Sequence, residues 1–145
     1  MKFHKQLFRH DPANGVWGDC HRTAIACLLD LEPSDVPHFM EGDPTAEEFD
    51  RRVAIFLLDR GYVQANFWFE GSLESVIDVM TKNGGGVYYL LGGTSRNGTA
   101  HTVVCGPGGI AHDPAQDNSG IVGPLDNGYY CITLLVPIQF VGKAA

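Results

Sequence analysis

The sequence predicts an α+β domain, with N-terminal helices packed on a C-terminal antiparallel sheet. Two patterns carry that reading: apolar residues recur at helical spacing in three segments between residues 19 and 84, and most strand-like runs follow residue 86. A third observation keeps the two blocks together, since neither a linker-like stretch nor an internal repeat divides the 145 residues. Residues 1–145 therefore read as one domain. At this size about two-thirds of the unfolded surface is buried on folding, enough for a core without covalent staples. With 44% hydrophobic and 19% charged residues, the composition excludes a disordered chain.

The elements follow in order. Residues 1–18 read as an irregular lead-in, broken by Pro12 and Gly15. Ala24, Cys27, Leu28 and Leu31 then form one apolar helical stripe, with Asp19 placed to cap its start and Cys20 in its first turn. Pro33, Pro37 and Pro44 mark a loop. Thr45 and Glu48 make the capping box of a second helix, with Phe49, Val53, Phe56 and Leu57 on its inner face and Gly61 as its stop. A third helix starts near Ser72, presents Leu73, Val76, Ile77 and Met80 on one face, and ends at glycines 84–86. Val63–Phe69, Val87–Leu91, Ala100–Gly106, Gly109–His112 and Tyr129–Val136 read as strands, the third and fourth joined tightly at Gly106-Pro107-Gly108-Gly109.

Charge and cysteine usage narrow the function. Ten Lys+Arg against 17 Asp+Glu give a net charge of −7, with no basic run, which argues against nucleic acid and anionic membrane as partners. No apolar run reaches the ~20 residues of a membrane span, and the first 15 residues are too polar for a secretory signal. A cytoplasmic protein with reduced thiols is expected. Each of the four cysteines must then be core filler, ligand or nucleophile. Cys27 lies on the helical stripe, and Cys105 and Cys131 lie in strands, so these three read as core. No metal site is expected: His101 and Cys105 stand roughly 13 Å apart on one strand, and no Cys-x-x-Cys pair exists. No cofactor motif appears either. The glycine clusters lack the Lys-Ser/Thr of a phosphate loop.

Cys20 is the residue with chemical promise. A thiol in a helix's first turn faces unpaired N–H groups and the positive end of the helix dipole. That field contributes only about 0.3–2 kcal/mol, so a nucleophilic thiol also needs a cationic partner, usually His. His101 lies in a strand, and the following hairpin returns the chain so that Asp113 can approach its ring and fix the tautomer. His112 is the rival base, and Asp117 or Asn118 are substitutes for Asp113.

In that order of Cys, His and Asp the chain resembles papain-like thiol enzymes, and more narrowly the C39-like peptidases related to double-glycine leader peptidases, in a free-standing bacterial or phage type. The pieces that carry the resemblance are Asp19-Cys20-x-x-x-Ala24, the strand Ala100-His101-Thr102-Val103-Val104, Asp113-Pro114, and the Val36–Phe39 loop. The resemblance implies a papain-like fold and a cysteine peptidase-like hydrolase that cleaves a peptide, isopeptide or amide bond of a polypeptide or amide substrate, with Cys20, His101 and Asp113 as catalytic triad. It also implies an oxyanion-binding Gln about six residues before the nucleophile, where this chain has Asn14, and it puts Trp17 beside the substrate groove. His21 replaces the Gly that often follows the family's Cys. A thiol acyltransferase or amidase uses the same three groups, and a non-catalytic inhibitor on a degenerate peptidase fold is the reading from another class.

Overall fold

In a computed structural model that describes residues 1–143, three helices and five strands form an α+β domain. The helices are α1 (Cys20–Leu29), α2 (Ala46–Asp59) and α3 (Leu73–Asn83). The strands are β1 (Tyr62–Phe69), β2 (Tyr89–Thr94), β3 (Ala100–Gly106), β4 (Gly109–His112) and β5 (Tyr130–Pro137). They make one antiparallel sheet in the order β1-β5-β2-β3-β4. No helix among the described residues is long and apolar enough to cross a membrane.

The sheet is covered on both faces, because side chains alternate along each strand. On one face Leu90 and Val104 join the buried residues of α1 and α2; on the other, Leu91, Val103 and Ile132 pack with Val76 of α3. The third helix thus lies across the sheet from the first two. Thr45 Oγ1 accepts the Glu48 N–H, the cap expected there, and Ser72 Oγ accepts the Ser75 N–H to cap the helix expected to start near it. Glu48 does not close its half of the capping box. Its carboxylate binds Arg51 and Arg52 one turn on.

Helix α1 differs from its expected single stripe. Thr23, Ala24, Ile25, Ala26 and Cys27 are all fully buried, because the helix lies between β3, the Val36–Phe39 loop and the N-terminal segment. Asp19 does not cap it either. The Asp19 carboxylate, itself buried, accepts the backbone N–H groups of Leu7 and Phe8 and the Arg22 guanidinium. That ties residues 7 and 8 to the turn before Cys20. Strand β2 begins two residues later than expected, leaving Val87 and Tyr88 exposed.

Candidate active site

Four pieces of chain bring the chemically active side chains to a cavity of about 1060 Å³. The start of α1 contributes Cys20 and His21, β3 contributes His101 and Thr102, the segment after β4 contributes Gln116, and the N-terminal segment contributes Gln6. Cys20 is the first residue of α1, so its N–H is one that finds no acceptor inside the helix. Its side chain is half-buried and in no disulfide.

His101 is buried, and its Nε2 lies 2.6 Å from Asp113 Oδ1. The chain holds Asp113 firmly: Oδ1 also accepts the Ala115 N–H and Oδ2 accepts the Gly120 N–H. Gly93, opposite His101 in the β2–β3 register, leaves room for the loop that supplies Gly120. A Cβ at Gly93 would stand 2.6 Å from Ile121 Cγ2 and 2.7 Å from the Gly123 carbonyl oxygen. With Nε2 turned to the carboxylate, Nδ1 is the ring nitrogen left for the Cys20 thiol.

The electrostatics follow from these contacts. Burial works against a charged His101 ring, but hydrogen bonds to Asp113 and Cys20 outweigh it and raise the imidazole from 6.5 to about 9. Burial likewise opposes the Asp113 carboxylate; His101 and the two backbone amides prevail and hold it at about 2. At neutral pH the pair is imidazolium and carboxylate, and the cation stands beside the thiol. The thiol of Cys105 is opposite in kind, sealed in the core and pushed by burial to about 12.

The rival residues are engaged elsewhere. His112 Nε2 donates to the His4 carbonyl at 2.6 Å and its ring stacks on Phe3, outside the cavity lining. Asp117 faces Arg9, Arg96 and the Asn97 amide, while Asn118 Oδ1 accepts from Lys5. His21 does not crowd the groove as a mere bulky neighbour. Its Nδ1 is 3.1 Å from Thr102 Oγ1, and its ring sits against the edges of Phe39 and Phe49. This clamps α1 to β3 on the residues that follow Cys20 and His101.

Two expectations are corrected. Asn14 lies outside the cavity in an exposed turn, its amide donating to Asp11 Oδ2 at 2.7 Å. Gln6 occupies the cavity instead, buried, with one amide hydrogen donated to the Phe8 carbonyl. The cause is an excursion of the chain. Asp11 and Val16 pair as a small hairpin, and the Gly18 N–H donates to His10 Nδ1 across its base. Residues 11–18 leave and return, so a Gln 14 residues before Cys20 in sequence stands, without those eight residues, six before it (14 − 8 = 6). The proline and glycine inside that excursion were its only sequence signal. Trp17 is likewise outside the lining, tilted against His10, whereas Trp68, within the segment read from sequence as a strand, is half exposed and lines the cavity. His38, in the Val36–Phe39 loop, lines it too.

Comparisons with protein-family models, with curated proteins and with solved structures find no match to this chain.

Proposed function

We propose that the protein is a cysteine peptidase-like hydrolase with a papain-like, C39-like arrangement of Cys20, His101 and Asp113. The observation that carries the reading is a buried His101 held by Asp113 at 2.6 Å through Nε2, with its other nitrogen left for a thiol at a helix start in the same cavity. Cys20 attacks the carbonyl carbon of an amide as thiolate. The developing oxyanion meets the Cys20 N–H and the free amide hydrogen of Gln6, two donors that stand ready before the charge forms. His101 gives its proton to the departing amine, leaving an acyl-thioester and a neutral imidazole. That imidazole then takes a proton from water, whose oxygen attacks the thioester, and Cys20 leaves as thiolate. An amine in place of water turns the same groups into an acyltransferase.

The test is iodoacetamide labelling of Cys20, followed by peptide mapping, in wild type and His101→Ala. Labelling that continues at pH 6 in wild type and slows at least about tenfold in the variant supports an activated ion pair. Equal rates in the two proteins at every pH overturn the hydrolase reading.

A further inference from the structure

The cavity extends well past the thiol. Thr102, Gly92, Cys131 and Trp68 lie side by side across β3, β2, β5 and β1, as the strand registers require. All four line the cavity, so it crosses the sheet from the Cys20 side toward β1, over a distance of two to three strand spacings, roughly 10–15 Å. Gly92 keeps the floor low. Its φ is not left-handed, and a Cβ there would meet Cys131 and Leu125 only at ordinary contact distances, 3.5 Å or more. Neither backbone nor neighbours therefore demand glycine at this position. The space above it is the feature that a side chain would remove.

At the far end stands Asp50 of α2, exposed at the cavity mouth. The other lining carboxylates have cations: Asp19 has Arg22, and Asp117 has Arg9 and Arg96. Asp50 has no ion pair among the described residues, because its neighbours Arg51 and Arg52 turn to Glu48 instead. Its charge is felt at Cys131, whose thiol is pushed up by burial and by Asp50. Trp68 and the acceptor-bearing Gln64 and Asn66 complete this end.

We infer that this lobe is a subsite for a cationic side chain, lysine or arginine, of a substrate whose scissile carbonyl lies at Cys20, with Asp50 as its counter-charge and Trp68 as an aromatic wall. The inference rests on the proposed hydrolase reading and names the substrate class for the same site. A cation here gains a carboxylate that has no other partner and an aromatic face, at a partly exposed position where each contributes modestly. An extended peptide advances ~3.3–3.6 Å per residue, so the side chain that reaches Asp50 belongs to a residue within a few positions of the scissile bond.

The experiment uses N-acetyl dipeptidyl acyloxymethyl ketones carrying lysine, norleucine or glutamate at either position, with Cys20 modification followed by mass spectrometry. At one position the lysine probe is expected to react about fivefold or more faster than the norleucine probe, and glutamate slowest. Asp50→Asn is expected to bring lysine and norleucine within about twofold of each other, and Asp50→Glu to keep the preference. A His101-dependent reaction with no lysine preference, or a preference that persists in Asp50→Asn, overturns the subsite and leaves the hydrolase reading standing. Cys20 labelling by iodoacetamide that ignores His101 overturns both.

Discussion

His21 and His101 line the same cavity, and His21 contacts Thr102, the neighbour of His101 in β3, yet their proton affinities lie on opposite sides of the ordinary value. Burial alone acts on His21 and brings it from 6.5 to about 4. His101 is also penalised by burial, but it stands at about 9 because Asp113 and Cys20 supply acceptors for the charged ring. The fold thus places a neutral imidazole and a cationic one on the same cavity. Desolvation is common to both, and the divergence comes from Asp113, a carboxylate held by two backbone amides, together with Cys20. In the proposed hydrolysis, only the cationic ring has the proton that the leaving amine needs.

The strongest way to break that contrast is Asp113→Asn. Without the carboxylate, only Cys20 opposes the burial that also acts on His21, and the His101 titration is expected to fall by at least about one pH unit. Proton-detected histidine titration by NMR reads this directly, and Cys20 labelling should slow in parallel. A His101 that still titrates near 9 in Asp113→Asn would mean that another charge holds the ring. His21→Gln should leave the His101 titration in place.

The two rings also pull stability in opposite senses with pH. For His101 the folded value lies above the unfolded one, so its contribution is complete below about 6.5 and is lost as pH rises through about 9. The gain is on the order of 2–3 kcal/mol, shared with Asp113 and counted once for the pair. For His21 the folded value lies below the unfolded one, so the unfolded chain binds the proton more tightly between about 6.5 and 4. Stability falls as pH drops through that window, by an amount of the same order, about 2–3 kcal/mol. Urea midpoints measured from pH 4 to 10 should therefore decline at both ends. Asp113→Asn should flatten the alkaline limb and His21→Gln the acid limb; a variant that flattens the other limb would invert the assignment.

How much of this was legible in the sequence depended on the range of the forces involved. The caps at Thr45 and Ser72 act within four residues and appear where their sequence signals stand. The hairpin β3–β4, closed by Gly106-Pro107-Gly108-Gly109, is equally local, and it carries Asp113 back toward His101. Pairings between distant segments left no such mark. Strand β1 forms the sheet edge against β5, more than sixty residues away, so nothing near Trp68 showed that one of its faces borders the cavity. Asp19 has the right residue type for a cap, but a longer-range claim from the Leu7 and Phe8 amides prevails. Gln6 was hidden for the same reason, since only the closed hairpin at residues 11–16 brings it near Cys20.

The smallest expected effect tests whether that N-terminal segment sets the site or merely borders it. Lys5 Nζ donates to the carbonyls of Asp113 and Ala115 and to Asn118 Oδ1, at 2.8, 2.9 and 2.5 Å. Beside it the Gln6 N–H donates to the Pro114 carbonyl, and the Gln116 amide donates to the Gln6 carbonyl. The segment thus grips the backbone of the loop whose side chain holds His101. Lys5→Met keeps the aliphatic stem and removes the ammonium, at an expected cost of about 1 kcal/mol in this partly exposed position. The Asp113 carboxylate retains its own amides from Ala115 and Gly120, so His101 should still titrate near 9 and Cys20 labelling should slow only a few-fold. If Lys5→Met instead lowers the His101 titration as far as Asp113→Asn does, the loop's own amides do not suffice to place the carboxylate. The contrast between the two histidines would then originate in the N-terminal segment, a hundred residues from the pair it holds together.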